Sequence, residues 1–444
     1  MEEIAEHVIK YSKFFTEIRI EKQKTEEIIF VDGNFKDVSI DEKYGFSIRV
    51  IDKNVGFYSS NIVSKEEVKK GLRIATKLAR MGKNKIFLSE EKINERGYEI
   101  KGNFPEIDEK INFLKYLSSL NKKNFISYTE KYNEKFYMNS EGSKIHSKIP
   151  RVYLHYLMTV DGEQATREFG NTAGWEVVKK WKVEEKMEED KNFLKKLIEK
   201  GKKAPKRGDV ILSPLISGLI AHEGCGHPFE ADRIIGRELA QAGKSYISKD
   251  MIGRKIANEV VSIEDNPLIE KAYGYYKYDD EGVRARKREL IKEGIINEFL
   301  HNRQTAYEMN CKSNASMRAS FGKEPIIRMA NTYFKRGDYT FEEMVEEIRD
   351  GVYIVTFMEW NIDDRRMNQK YVGNEAYIIK NGEIAGIAKH PSIELSTFQI
   401  FSKIDAVGKN FELHPATCGK SEPMQDMEVS TGGADIRIRD VRIK

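Results

Sequence analysis

The segment "LSPLISGLIAHEGCGHPFEAD", from Leu212 to Asp232, joins an apolar helical pattern to a cluster of polar side chains. Continuing the apolar stripe by seven residues reaches His222 and Glu223. Ionisable groups on a buried face are costly unless they are paired or bind a metal, so the segment indicates either a metal site or the end of the helix. The apolar residues that recur at helical spacing, and that predict a helix packed on a hydrophobic core, are Leu212, Leu215, Ile216, Leu219 and Ile220.

Two histidines flank Glu223 in this segment, His222 and His227, although the chain has only 8 histidines in 444 residues. The zinc-protease motif HExxH sets its histidines four apart, so that both reach one metal ion from one helical face. Here the second histidine comes five residues later, which on a regular α-helix leaves the two side chains about 140° apart. Gly224 and Gly226 lower the energetic cost of distorting the helix. We therefore expect an irregular helix at residues 222–227, with a π-bulge or a broken turn.

A hydrolytic zinc site has three protein ligands and a water, so one protein ligand remains to be identified besides the two imidazoles. Spacing alone does not choose the third ligand. The short pattern by itself also fits two hydrogen-bonded histidines at the end of a helix. The candidates for the third ligand are Cys225, Glu230, Asp232, His301, His390, His414 and Cys418.

At 444 residues the chain exceeds what one hydrophobic core usually fills, so we expect two domains. The stretch "GKKAPKRGD" has the Pro, Gly and Lys content of a linker, and we place the boundary there, near Gly201. The expected fold class is α+β. Residues 1–200 form a mixed N-terminal domain with antiparallel strands, and residues 201–444 form a strand-rich catalytic domain.

Composition excludes several classes of protein. With 75 basic and 71 acidic residues the net charge is +4, which argues against broad nucleic-acid binding. The three cysteines lie far apart and indicate a reducing cytoplasm rather than a disulfide framework. The longest apolar stretch, "VILSPLISGLIA", is too short for a membrane span of about 20 residues. We therefore expect a cytoplasmic protein that binds neither nucleic acid nor membrane.

Local patterns predict several further features. The dipeptides Asp32-Gly33 and Asn381-Gly382 each suit a type I′ hairpin turn. Ser64 can cap a helix that ends at Gly82. The acidic run at residues 279–281 is expected to be an exposed turn rather than a second metal site. Polar residues of "SNASMRAS" and "RMANTYF", Arg318 and Arg328 among them, can either line a cleft or hold strands together.

Beyond the motif, ordered segments through most of the chain resemble the TldD/PmbA family of metallopeptidases, also labelled modulators of DNA gyrase. TldD-type subunits carry HExxxH and a distant cysteine, which PmbA-type subunits (also called TldE) lack, and this chain resembles the TldD type. The segments that carry the resemblance are "YGFSIRVI", "VGFYSSN", "NSEG", "LSPLISGLIAHEGCGHPFEAD", "YDDEGVRARKRELIKEGIINEFLHNRQTA", "SNASMRAS", "RMANTYF" and the "CGK" at residues 418–420.

The resemblance implies a set of roles. His222, His227 and Cys418 are the ligands of a Zn²⁺ ion, Glu223 is the catalytic acid/base, and Cys225 fills a variable motif position. It also implies hydrolysis of peptide bonds in unfolded or extended polypeptides and small proteins. The partner is a second copy or a PmbA/TldE-type subunit. The chemistry agrees, since zinc with three protein ligands activates a water whose proton an adjacent glutamate can accept.

Neighbouring polar residues have supporting roles in this interpretation. With three ligands named, Glu230 and Asp232 are expected to be hydrogen-bond acceptors near the site or a charge pair at the helix end. His414 lies four residues before Cys418 and is the first alternative ligand.

Two rival functions remain at this point. One is a non-catalytic regulatory or binding subunit of the gyrase-modulator type, in which any metal is structural. The other is a metal-dependent amidase for small substrates. Structural zinc sites normally use four protein ligands and have no need of a free glutamate beside them, so the intact motif favours the peptidase.

Overall fold

The computed structural model describes residues 1–238, 240 and 243–444. Strands outnumber helices, most strand pairs are antiparallel, and the predicted α+β class is confirmed. The division into two domains at Gly201 stays a prediction. Within the described residues, no helix is long and apolar enough to cross a membrane. The helices are α1 (Glu2–Lys10), α2 (Lys65–Ala79), α3 (Ile107–Ser119), α4 (Val183–Lys200), α5 (Pro214–Ala221), α6 (Ala231–Ile234), α7 (Arg303–Glu308), α8 (Phe341–Glu346) and α9 (Thr397–Lys403).

The first part of the chain builds one seven-stranded sheet, in the order β3-β2-β1-β5-β6-β4 with β7 beside β6. Helices α1 and α2 cover one hydrophobic cluster of this sheet, and α3 and α4 cover another. The strands are β1 (Phe15–Val31), β2 (Asn34–Ile51), β3 (Val55–Ser60), β4 (Glu95–Glu99), β5 (Lys123–Asn139), β6 (Lys144–Val160) and β7 (Glu163–Asn171).

Local sequence signals set the boundaries of several elements. Asp32 and Gly33 both have positive φ and join β1 to β2, which confirms the predicted hairpin. The Asn381-Gly382 hairpin is confirmed in the same way. Ser64 accepts a hydrogen bond from the Glu67 amide and caps α2 as predicted, although the helix ends at Ala79, before Gly82.

In the second part of the chain, the described residues form two six-stranded sheets and two smaller ones. Their strands are β8 (Arg207–Leu212), β9 (Ile263–Asp265), β10 (Arg288–Lys292), β11 (Ile295–Ile296), β12 (Met317–Arg318), β13 (Ile326–Ile327), β14 (Asn331–Phe334), β15 (Asp350–Ile354), β16 (Phe357–Ile362), β17 (Asn368–Gly373), β18 (Ala376–Lys380), β19 (Glu383–Ile387), β20 (Ser392–Ser396), β21 (Ile404–Val407), β22 (Glu412–Lys420), β23 (Gln425–Gly433) and β24 (Ile436–Arg442).

These sheets surround the helix that the opening segment predicted. One six-stranded sheet has the order β11-β10-β9-β14-β23-β22 and the other β19-β18-β15-β8-β24-β21. Helix α5 lies against β23, β14 and β22, and its Ile216 and Ile220 are fully buried in the largest hydrophobic cluster. Leu212, which the predicted helical stripe included, lies in β8, and Leu215 and Leu219 are only partly buried. Helix α5 therefore packs on the core mainly through Ile216 and Ile220.

The acidic run at residues 279–281 is buried, so the predicted exposed turn is wrong. Arg49 reaches across from β2 and its Nη2 lies 2.6 Å from Glu281 Oε1. Asp280 pairs with Lys135 of β5, and Asp279 accepts hydrogen bonds from three backbone amides. The run thus joins the N-terminal sheet to the C-terminal part of the chain, and its basic partners are too distant in sequence for the local pattern to show them.

Gly218 of α5 is expected to tolerate no side chain. A Cβ there would lie 2.1 Å from the backbone nitrogen of Gly432 in β23, so the helix would have to move off the sheet. Gly218→Ala should therefore destabilise the protein by about 1–3 kcal/mol or more, although alanine is the better helix former. Chemical denaturation measures this, with Gly97→Ala as control because its Cβ would make only an ordinary 3.5 Å contact. Equal stability of the two variants would contradict this account of the packing.

Candidate metal centre

The helix changes its winding at the predicted place. Helix α5 ends at Ala221, a π-helix follows over His222–Gly226, and a 3₁₀ turn covers His227–Phe229. The irregular helix predicted for residues 222–227 is therefore confirmed. The wider π turn brings the two imidazoles together although they are five residues apart, and their ring centroids lie 4.8 Å from each other.

Cys418 lies close to the imidazoles of His222 and His227. It lies on β22, an edge strand, where Pro415 is tolerated. The Cys418 Sγ lies 3.3 Å from His227 Nε2. The ligand atoms of His222, His227 and Cys418 all lie within 4.8 Å of one another, and no other group of three His, Cys, Asp or Glu in the described part of the chain could hold one ion.

The donor set fits a zinc ion. Two imidazole nitrogens and a thiolate are the ligands that Zn²⁺ commonly takes in proteins. Burial lowers the pKa of His222, and it lowers that of His227 to about 4, so both rings are neutral at pH 7, as ligands must be. Burial alone would raise the pKa of Cys418, but the Arg328 guanidinium acts to lower it. The His222 Nδ1 is buried without a hydrogen-bond partner among the described residues.

Glu230 orients His227 from the far side of the ring. Its Oε2 lies 3.2 Å from His227 Nδ1, so Nδ1 donates and Nε2 is left as the ligand atom facing Cys418. The prediction that Glu230 is a hydrogen-bond acceptor near the site is confirmed. Although burial acts to raise it, the pKa of Glu230 is held well below its usual value, chiefly by Lys420 and Arg233.

Lys420 supplies this charge from within the protein. Its side chain is fully buried two residues after Cys418, and its Nζ lies 3.1 Å from Glu230 Oε2 and 2.7 Å from Asp232 Oδ2. Strand β22 therefore brings both a candidate ligand and the cation that stabilises Glu230. The sequence did not predict the pairing of Glu230 and Asp232 with Lys420. In a strand, residues 418 and 420 lie on the same face, but this could be used only after β22 was known to be a strand.

Glu223 is buried beside His222, and its Oε2 forms a hydrogen-bonded ion pair with Arg366 Nη1. Arg366 lies in the turn between β16 and β17, 143 residues further along the chain. No local signal in the sequence "DDRRM" at residues 363–367 pointed to the site.

The remaining ligand candidates lie elsewhere. His301 Nδ1 is 3.1 Å from Thr305 Oγ1, and His390 Nε2 is 3.0 Å from Glu163 Oε2. His414, the first alternative ligand, is outside the cluster and lies 3.8 Å from Glu412. Cys225 is buried in the hydrophobic core.

Two buried arginines hold strands around the site. Arg318 donates to the backbone carbonyls of Met329 and Glu428. Arg328 donates to those of Gln425 and Cys418. The sequence left open whether these arginines line a cleft or hold strands together, and these contacts fit the second role.

Comparisons with known proteins identify the family of the chain. The PmbA/TldA metallopeptidase C-terminal domain model matches residues 205–444, the domain 1 model matches residues 16–79, and the central domain model matches residues 101–204. The site and the matched models define a metallopeptidase class of protein. The chain belongs to the PmbA/TldD family of metallopeptidases.

Named relatives span nearly the whole chain. A metalloprotease of Methanocaldococcus jannaschii is 32% identical over 442 residues, which cover 95% of each chain. The zinc metalloprotease TldD homolog of Saccharolobus solfataricus is 28% identical over 97% of this chain and 96% of its own.

Solved structures share the fold at lower identity. A Thermotoga maritima protein described as a modulator of a DNA gyrase has a TM-score of 0.79 at 17% identity, over 100% of both chains. TldE from Thermococcus kodakarensis has a TM-score of 0.71 at 17% identity, over 100% of this chain and 99% of its own.

Lys420→Met tests the buried charges beside the site. The substitution removes the buried cation shared by Glu230 and Asp232 and leaves Glu230 paired with Arg233, so unfolding free energy should fall by about 3–5 kcal/mol. Chemical denaturation of the metal-free protein measures this. The control is Lys370→Met, which removes an exposed pair with Glu359 and should cost at most about 1 kcal/mol. Similar losses in the two variants would show that Lys420 does not stabilise Glu230.

Proposed function

We propose that this protein is a zinc-dependent peptidase that hydrolyses peptide bonds in unfolded or extended polypeptides and small proteins. The observation that carries the proposal is the convergence of His222, His227 and Cys418 beside a buried glutamate. The names of relatives such as the zinc metalloprotease TldD homolog support it. A set of three ligands leaves a coordination position for water, which a catalytic site needs and a structural zinc site lacks.

The chain's own groups divide the chemistry among them. His222, His227 and Cys418 hold the metal, and Glu230 keeps His227 in the tautomer that presents Nε2. Bound zinc lowers the pKa of water and polarises a carbonyl group. Glu223 accepts the proton of the attacking water and donates it to the amine that leaves.

An extended substrate can pair with the free edge of β16. This strand ends the three-stranded sheet β16-β17-β20 and pairs with β17 alone among the described strands. Its side chains Met358 and Trp360 are exposed, and the turn that follows it carries Arg366 to Glu223. Strand addition uses the substrate backbone and reads few side chains, so it suits unfolded chains of varied sequence.

We further propose that the protein works in the cytoplasm as a dimer, with a second copy or with a TldE-type subunit. The three free cysteines support a reducing compartment, since a thiolate ligand has to stay unoxidised. The fold likeness to TldE is compatible with a partner of similar shape.

Glu223→Gln should abolish hydrolysis while the protein keeps its metal. The amide cannot accept the proton of water, and it removes no metal ligand. The measurement is cleavage of a reduced, alkylated and unfolded protein by zinc-loaded enzyme, with metal content determined on the same samples. The native form of the same substrate protein serves as control and should be cut far more slowly. Full activity in Glu223→Gln would rule out the acid/base role, and a site with four protein ligands would favour the structural-metal alternative.

Cys418→Ser should reduce zinc binding, because a neutral hydroxyl replaces a thiolate ligand. Elemental analysis of protein purified without added metal or chelator should find about one zinc per chain in the wild type and far less in this variant. Cys311→Ser is the matched control, since Cys311 is exposed and outside the cluster, and it should keep its zinc. Unchanged zinc in Cys418→Ser would show that Cys418 is not the third ligand.

A further inference from the structure

The turn at residues 363–367 carries a second charged group into the centre of the site. Arg366 pairs there with Glu223, and the two side chains are only 11% and 6% exposed. Its neighbour Arg365 is exposed. Two adjacent arginines thus have opposite environments, and only one of them faces the metal centre.

The turn fixes the backbone of Arg366. Asp363 accepts hydrogen bonds from the amides of Arg365 and Met367 at 3.1 and 2.8 Å, and its carbonyl accepts one from the Arg366 amide at 2.9 Å. Arg366 itself has φ +63°, a left-handed conformation that side chains other than glycine rarely adopt. Such a conformation persists where the surrounding structure enforces it, often at functional sites.

A buried chain of hydrogen bonds holds the other side of the turn. Thr397 Oγ1 donates to the Arg366 carbonyl at 2.7 Å and accepts from Gln369 Nε2 at 2.7 Å, and the Tyr371 hydroxyl donates to Gln369 Oε1 at 2.6 Å. All three side chains are buried. The turn therefore cannot shift without breaking buried hydrogen bonds, which are costly to lose.

The same chain of hydrogen bonds lies against the π-helix. A Cβ at Gly224 would come within 2.8 Å of Gln369 Nε2 and 3.2 Å of Thr397 Cγ2. The glycine that follows Glu223 thus allows the helix and the turn to approach each other closely. Packing of the π-helix on one side and hydrogen bonds of the turn on the other therefore hold Glu223 and Arg366 close to each other.

We propose that Arg366 is the positioning residue of Glu223. A glutamate side chain has several rotatable bonds, and a carboxylate free to rotate beside a metal ion can ligate it instead of activating water. The guanidinium contacts Oε2 and leaves Oε1 to accept the proton. This inference rests on the peptidase function proposed above.

The test compares Arg366→Gln and Arg366→Lys with the exposed neighbour variant Arg365→Gln, using the unfolded protein substrate. We expect kcat to fall about 10²-fold in Arg366→Gln, with KM and zinc content unchanged, because only the proton transfer is impaired. Arg366→Lys should recover part of kcat, since a single ammonium can pair with Oε2 but lacks the planar fork. Arg365→Gln should match the wild type.

Thr397→Val extends the test without touching the ion pair. It removes the hydrogen bond to the Arg366 carbonyl and should lower kcat by less than Arg366→Gln does. A rise in KM with kcat unchanged in Arg366→Gln would overturn the proposal and make Arg366 a substrate-binding group. Loss of zinc from that variant would also overturn it, since Arg366 would then support the ligands instead.

A measurement that needs no activity separates this proposal from the peptidase function. Thermal unfolding of the metal-free protein is followed for Arg366→Gln, Glu223→Gln and the double variant. Strongly non-additive shifts support the pairing in solution, and additive shifts overturn it. If the wild type shows no zinc-dependent hydrolysis, the peptidase function fails, while this cycle still decides whether Arg366 holds Glu223.

Discussion

Five residues separate His222 from His227, and a regular α-helix cannot turn both side chains toward one point at that spacing. The chain meets this constraint with a single π turn over His222–Gly226. Such a turn is uncommon, and it forms here where Gly224 and Gly226 remove side chains that would collide with Gln369 and Met329. The candidate metal centre depends on this local change of winding, because without it the imidazoles would face different neighbours.

In the site, each buried charged group contacts a second buried group of opposite charge. His227 is oriented by Glu230, and Glu230 is neutralised by Lys420, which also pairs with Asp232. On the other side Glu223 pairs with Arg366. Each buried charge is costly by itself and acceptable only with its partner, so the surrounding strands must deliver every member in register. Strand β22 does this for Cys418 and Lys420 together.

The larger architecture places this centre at the meeting point of the C-terminal sheets. Helix α5 presses on β23 so closely that Gly218 has no room for a methyl group. The long N-terminal sheet joins this part of the chain through buried ion pairs, among them Arg49 with Glu281. Rigid packing of this kind suits a site whose groups have to stay within a fraction of an ångström of a working geometry.

The sequence by itself determined the features that local chemistry controls. The two hairpin turns, the capped start of α2, the apolar stripe of α5 and the irregular helix after it all follow from residues a few positions apart, and the structure has each of them. The resemblance to a family, carried by many ordered segments, pointed to Cys418 where spacing alone could not. Tertiary structure alone decided that Cys418 lies on a strand, that the acidic run at residues 279–281 is buried, and that Arg366 and Lys420 face the site. Cys418 lies on a strand because β22 pairs with β23, which follows it in the chain. For the acidic run, Arg366 and Lys420 the physical reason is a charged partner more than a hundred residues away, and the local pattern of a sequence does not encode which distant charge will compensate a buried one.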